Sequence, residues 1–305
     1  MKKILCYRNS KLGDFLISIP AIKLIKKKNR NCKIYYLTVK SKFYTKLPEK
    51  LSNEIIVDKF IYFENTLKEK IKLINFLKNQ NFSSFYYLQE KNTIYRELRD
   101  YFFFSLLNIP DKHGFFCKNE SYIKESETIQ IAKRVEHKIS VNDIYSLSKQ
   151  KKTSDFPIYN FNYISISIGG FSQPTVWKLK NWNILLRLIL NNLNYKIIIT
   201  GTKEDIKSAK LLCLINPKRI ISLCGKNNLD ELLNIIKYSK LHVTNDNGSM
   251  HLATLFSKKT LCLFNNHDPE GKWYPANKKA IKIRSNNGIN SINPYFIYKK
   301  LNRFI

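Results

Sequence analysis

Between Lys240 and Phe264 the chain alternates in a way that few architectures accept. Lys240-Leu241-His242-Val243-Thr244 reads as a short buried strand, residues 250–256 as a helix, and Thr260-Leu261-Cys262-Leu263-Phe264 as the next strand. Neighbouring strands joined through a helix run in the same direction, so the intervening turn lies at the carboxyl edge of a parallel sheet. That turn is Asn245-Asp246-Asn247-Gly248. Asp246 and Asn247 are placed to cap the helix, and Gly248 admits a ligand close to the backbone. Unbonded N–H groups in a first helical turn attract a phosphate or diphosphate, and His251 falls within the same turns. Such a run also serves as a plain turn, and a lone histidine as a satisfied core residue.

The same alternation recurs along the chain. Residues 3–7 read as a buried strand, 15–28 as an amphipathic helix kinked or restarted at Pro20, and 33–39 as a second strand. Short strands are expected at 55–57 and 59–63, a helix at 66–80, a strand at 84–89, and helices at 95–107 and 128–150. Phe102-Phe103-Phe104 reads as core, with lipid contact as the alternative. Lys149 through Pro157, polar and ending in proline, is the natural linker. Beyond it, strands at 163–168, 196–200 and 220–223 alternate with helices at 182–193, 203–214 and 229–237. The fold class is α/β. A chain of 305 residues is long for one core. A first domain over residues 1–155, a second over 156–290 and a terminal segment 291–305, with a helix packing back on the first domain, are therefore expected.

Charge narrows the partners less than its size suggests. Lys and Arg number 53 against 23 Asp and Glu, a net charge of +30 that draws nucleic acid, anionic membrane or phosphorylated substrates. The charge is spread over the whole chain rather than gathered in one arm. The six cysteines form no C-x-x-C pair, and Cys6 and Cys262 sit in apolar strands, as buried thiols of a reducing compartment do. No apolar run reaches the roughly 18–20 residues of a membrane span. Arg8, Lys11 and Asp14 interrupt any signal-peptide core, so a cytoplasmic location is expected.

Loops at strand carboxyl ends hold ligands in α/β folds. In the first domain that singles out residues 8–14, where Asp14 opens the helix either as a cap or as a general base facing a cleft between domains. In the second, loops 169–180, 200–205, 224–229, 245–251 and 265–269 converge on one edge. A phosphate-binding G-x-x-x-x-G-K-[ST], a G-x-G-x-x-G after the first strand and a G-x-S-x-G elbow are all missing. No two Asp stand two apart, and the five His do not fall at metal-ligand spacings. An anion site without a metal, paired with one base, is what these residues offer.

Three blocks carry a resemblance. Ile4-Leu5-Cys6-Tyr7-Arg8-Asn9-Ser10-Lys11-Leu12-Gly13-Asp14-Phe15-Leu16-Ile17-Ser18-Ile19-Pro20 resembles the opening of the glycosyltransferase family 9 enzymes, the ADP-heptose:lipopolysaccharide heptosyltransferases. Asn245-Asp246-Asn247-Gly248-Ser249-Met250-His251-Leu252-Ala253 resembles their donor signature, an Asp-Thr-Gly followed by His-Leu. Ile168-Gly169-Gly170 through Trp177 and Trp182 resembles their third landmark. The resemblance implies a GT-B architecture: two Rossmann-like domains facing a central cleft, the first holding acceptor and the second nucleotide-sugar. It also implies an inverting, metal-independent sugar transfer, with heptose from ADP-heptose moving onto a lipopolysaccharide core or related surface glycan. No cofactor beyond the donor is implied.

Residue by residue, Asp14 matches the family's general base, and Ser10 and Gly13 share its loop as substrate-binding positions. Asp246, Gly248 and His251 match donor-binding positions, Asn247 replaces the family's threonine, and Glu204 matches the acid that holds the ribose. Gly169 and Gly170 belong to the third landmark. Thr175 stands where the family has a phosphate-contacting lysine, leaving Lys178 or Lys180 to reach in instead, and Asn265 replaces a usual glycine. The implied partners are the donor and an anionic lipid-linked glycan at the inner face of the cytoplasmic membrane. The helix with Lys23, Lys26, Lys27 and Lys28 offers either a docking face for that membrane or a plain solvated one. Two rival readings are a nucleotide-sugar-binding member without catalysis and a basic nucleic-acid-binding protein. The latter lacks any recognition motif, and nucleic acid is not an expected partner.

Overall fold

Every strand pairing among the described residues is parallel, as strands linked through helices require. The computed structural model describes residues 1–40, 57–90, 93–117, 125–149, 157–169 and 176–305. The chain divides into two units, Met1–Lys151 and Lys152–Ile305, each built on its own sheet. Residues 55–56 of an expected strand and 150–156 of the expected linker lie outside the described residues.

The first unit runs β1 (Lys2–Tyr7), α1 (Leu12–Lys28), β2 (Cys32–Val39), β3 (Lys59–Phe63), α2 (Leu67–Lys78), β4 (Ser84–Tyr87), α3 (Ile94–Ser105), β5 (Asp111–His113), α4 (Glu127–Val135) and α5 (Val141–Leu147). Its strands lie in the order β3-β2-β1-β4-β5. Alternate side chains of one sheet face, among them Leu5, Tyr7, Leu37, Phe63, Phe85 and Tyr87, pack with Leu73 and Leu77 of α2 and with Phe104. Leu24 of α1 packs with Ile129 and Ala132 of α4 and Ile144 of α5. Helix α1 runs unbroken through Pro20, against the expected kink or restart. Residues from Leu12 to Ile25 are almost all buried, and that packing outweighs the backbone bond a proline forgoes.

Two further expectations are corrected here, and one strand is new. The helix read over 128–150 is two helices, because Ser140 starts a new one by accepting the Asp143 N–H at 3.1 Å. The Phe102-Phe103-Phe104 run is not all core: Phe104 is buried, whereas Phe102 is 67% exposed. The short edge strand β5 is polar and carries no alternation to read.

The second unit runs β6 (Tyr163–Ser167), α6 (Leu179–Asn192), β7 (Lys196–Thr200), a 3-10 turn (Lys203–Asp205), α7 (Ile206–Cys213), β8 (Ile220–Ser222), α8 (Leu229–Tyr238), β9 (His242–Asn245), α9 (Gly248–Leu255), β10 (Thr260–Phe264), β11 (Ala280–Arg284) and α10 (Pro294–Phe304). The sheet order is β11-β10-β9-β6-β7-β8. The terminal helix α10 belongs to this unit and not to the first. Ile297 and Leu301 are fully buried in the same core as Leu185, Leu186 and Ile189 of α6. Among the described residues no helix is long and apolar enough to cross a membrane.

Both sheets reverse their winding once. In the first the reversal falls between β1 and β4, in the second between β6 and β9. Outward-turning connections leave a crevice at the carboxyl ends of such a pair, the place where open α/β sheets bind ligands.

Candidate functional site

At the β6/β9 crevice the side chain of Asn247 ties the two strand ends together. Its Nδ2 donates to the carbonyl of Gly169 at 2.8 Å and to Ser167 Oγ at 3.2 Å, while Oδ1 accepts the Ser249 N–H at 2.9 Å. Neighbouring Asn245, fully buried, donates to the carbonyl of Ile168 at 2.7 Å and accepts from Trp177 N at 3.4 Å. Asn247 caps α9 as expected, but both ends of its amide are spent inside the chain, so it shapes the turn rather than reaching outward. The cap also takes the Ser249 amide from the set available to a phosphate, and Met250 N bonds to the Asn247 carbonyl at 3.2 Å. The Gly248 N–H has no partner among the described residues and stays at the positive end of the helix.

Beneath the turn lies a polar network invisible to periodicity. Ser249 Oγ donates to Asn247 Oδ1 at 2.7 Å and lies 2.9 Å from His242 Nε2, whose other nitrogen lies 2.9 Å from Ser165 Oγ. His242 bridges Ser249 and Ser165 through its two ring nitrogens. Burial drives the imidazole down to about 3, so it stays neutral. A histidine that reads as one more strand residue thus sets the orientation of the turn.

Asp246 is half-buried at the same edge, and its carboxylate has no hydrogen-bonding partner among the described residues. Burial, and then the negative charge of Asp268 beyond β10, push it up to about 7. Near neutrality it exists in both forms and can donate to or accept from a sugar hydroxyl. His251 is buried in the second turn of α9. Two acidic residues, Glu204 and Asp205, follow β7 on the 3-10 turn. Glu204 is exposed on the 3-10 turn, and hydrogen bonding from Thr202 chiefly holds its carboxyl below the usual range. The Asp205 carboxylate packs against Gly169 and Gly201, where an added Cβ would meet its Oδ2 at 2.3 and 2.6 Å. That close approach explains both glycines. Asp205 announces itself in sequence only as the last residue of a Thr-x-x-Asp cap, with Oδ2 accepting Thr202 N at 2.8 Å. Lys178 stands at the N-cap position of α6, its side chain exposed and making no cap bond. Gly170 and Thr175 lie outside the described residues.

At the β1/β4 crevice of the first unit, Asp14 stands in the first turn of α1. One carboxylate oxygen accepts the Lys11 N–H at 3.1 Å and the other lies 3.4 Å from the Arg8 guanidinium. The cap and the general-base readings are therefore compatible, because Asp14 caps while remaining 30% exposed. Arg8 is almost wholly buried. It donates to the carbonyl of Leu88 at 2.5 Å and also meets Glu127 of α4 at 3.4 Å. Burial raises the Glu127 carboxyl, opposed by the charge of Arg8. Against its own burial, Glu127 and then Asp14 hold the Arg8 proton more firmly. Ser10 is occupied, with Oγ 2.7 Å from Tyr36 Oη and 3.2 Å from the Arg8 carbonyl, so it braces the loop. Gly13 sits within the first turn of α1, one helical position before the carboxylate.

Comparison with known proteins identifies the fold. The structure of Escherichia coli ADP-heptose lps heptosyltransferase II superposes with a TM-score of 0.77 at 18% identity, covering 100% of this chain and 98% of that one. E. coli heptosyltransferase WaaC with ADP gives 0.76 at 13% identity, over 99% of this chain and 100% of that one. A family 9 glycosyl transferase from Veillonella parvula DSM 2008 gives 0.72 at 15% identity, over 99% and 97%. These likenesses establish the fold, two Rossmann-like units of the GT-B class. No curated protein matches the sequence. The model of glycosyltransferase family 9 (heptosyltransferase) matches residues 126–293, more than half of the 305 residues. The chain belongs to glycosyltransferase family 9, and it is a glycosyltransferase.

Proposed function

We propose that this enzyme moves a sugar from a nucleotide-sugar to a hydroxyl of an anionic, lipid-linked glycan, with inversion and without a metal, Asp14 being the base. The observation that carries the reading is the set of Asp14. A carboxylate at a sheet's switch point, held on one oxygen by a backbone N–H and on the other by a buried guanidinium, is oriented yet open to solvent. The acceptor oxygen forms a bond to the anomeric carbon as the bond from that carbon to the diphosphate breaks. The hydroxyl proton passes to Asp14, and the electron pair leaves with the diphosphate. Charge then grows on the leaving group, and in this reading the positive end of α9 at Gly248 stabilises it.

Asp246 and His251 on the α9 turn, Asp205 at the β7 end and exposed Lys178 make up the donor side of this reading. Heptose from ADP-heptose onto a lipopolysaccharide core is the favoured pair, because the two E. coli neighbours are named for ADP-heptose lps transfer and for ADP binding. The test is turnover and thermal shift with ADP-heptose, UDP-sugars and GDP-sugars. ADP-heptose should give the largest shift. Asp14→Asn should keep the donor-induced shift and lose about 10²–10⁴-fold in kcat. Unchanged turnover in that variant removes Asp14 from the mechanism.

A further inference from the structure

Helix α3 is apolar on the side it buries and apolar again on the side it turns to solvent. Inward, Phe104 and Leu107 lie in the core of the first unit. Outward, Ile94, Tyr95, Leu98, Phe102 and Leu106 are 62%, 81%, 36%, 67% and 52% exposed. At about 100° per residue these five fall within an arc of about 120°, roughly opposite Phe104 and Leu107. A helix apolar on two opposite sides is normally covered on both, and among the described residues the outer stripe stays exposed. The acidic groups of α3 turn away from it. Asp100 accepts the Tyr87 hydroxyl at 2.9 Å, and Glu97 accepts the Phe116 N–H at 2.6 Å. Arg99 borders the stripe, and its side chain is 69% exposed even while it bonds Asp100 at 2.7 Å.

We propose that this stripe seats in the interface of an anionic lipid bilayer, docking the first unit through α3. Charge selects this occupant over a second copy. Two chains of net charge +30 repel one another, whereas an anionic surface attracts each of them. Aliphatic side chains mixed with Tyr and Phe, edged by Arg, are also what a helix lying among lipid headgroups presents. The lysines of α1 are the weaker candidate, because three of the four are tied to their own chain. Lys23 donates to the Lys149 carbonyl, Lys26 to that of Cys32, and Lys28 to that of Val135 and to Glu136. The purpose of docking rests on the lipid-linked acceptor of the reading above, but its test needs neither donor nor turnover.

The full chain is sedimented with vesicles of phosphatidylcholine alone and of phosphatidylcholine mixed with phosphatidylglycerol, beside analytical ultracentrifugation without lipid. Binding to the mixed vesicles only is expected, weakened at least about tenfold by Leu98→Ser with Phe102→Ser. Leu211→Ser with Leu214→Ser, exposed side chains of the second unit, should change nothing. Phe102→Trp should show blue-shifted emission when mixed vesicles are added. Equal binding of the Leu98/Phe102 variant, equal binding to neutral vesicles, or no spectral shift overturns the proposal. So does a wild-type dimer that the Leu98/Phe102 variant renders monomeric, since the face would then be a self-interface. A normal donor-induced thermal shift alongside lost vesicle binding would show that docking and donor recognition fail separately.

Discussion

Arg8 brings one positive charge into a dry interior where two carboxylates meet it. Glu127 shares its burial and Asp14 does not, so the three do different work. Arg134 and Glu90 also act on Glu127, while Asp14 acts on Lys11 and Tyr36. Removing one member of a buried pair strands the other charge, which typically costs about 3–5 kcal/mol, whereas replacing both with apolar groups is often neutral. Arg8→Met should therefore lower the unfolding free energy by about that amount, and Arg8→Met with Glu127→Leu should recover most of it. The recovered double variant should still turn over slowly, because Asp14 has lost one of the two groups that orient it. Denaturant unfolding and kcat on the same preparations check both halves. A double variant with full stability and full kcat would make Arg8 a folding residue alone.

Around α9 two buried groups titrate with opposite consequences for the same element. Asp246 has its ordinary value of 3.8 pushed up to about 7. The folded chain keeps a proton the unfolded chain has lost, so stability falls as pH rises through that window. His242 is driven from 6.5 down to about 3. Here the unfolded chain gains the proton first, and stability falls as pH drops below about 6.5. Between about pH 4 and 6.5 the slopes oppose, each amounting to about 1.4 kcal/mol per pH unit at most. Relative to the parent, Asp246→Asn should gain stability with rising pH across that window and His242→Gln should lose it, as urea midpoints at several pH values would show. Parallel curves for all three proteins would refute the opposition. Much of this element was legible from residues alone: the apolar runs on either side of the turn, its cap and its glycine all follow from local chemistry. The wiring beneath was not, because His242, Ser165 and Ser249 meet only through the pairing of β6 with β9. The packing of Asp205 was illegible for a related reason: its neighbours Gly169 and Gly201 are brought to it by the sheet. The strand β5 owes its existence to the edge beside it rather than to its own pattern.

The whole molecule carries +30 on 305 residues, and that charge acts on folding and on binding with opposite signs. Within the fold, 53 cations against 23 anions repel one another, which favours the expanded chain. Exposed pairs such as Lys40 with Glu64 at 3.0 Å or Lys72 with Glu69 at 2.8 Å relieve little of it, since surface pairs contribute about 0–1 kcal/mol. Salt screens this repulsion once the Debye length shrinks to about 10 Å, near 0.1 M. Adding sodium chloride from low salt to that range should therefore raise the melting temperature. The same screening weakens the attraction for a phosphorylated acceptor, so its KM should rise over the same interval while kcat holds. An uncharged acceptor analogue separates the two effects, because its KM should stay level as stability climbs. If KM for both acceptors rises together, salt is acting on the protein's conformation; if neither moves, the charge serves solubility and not acceptor capture.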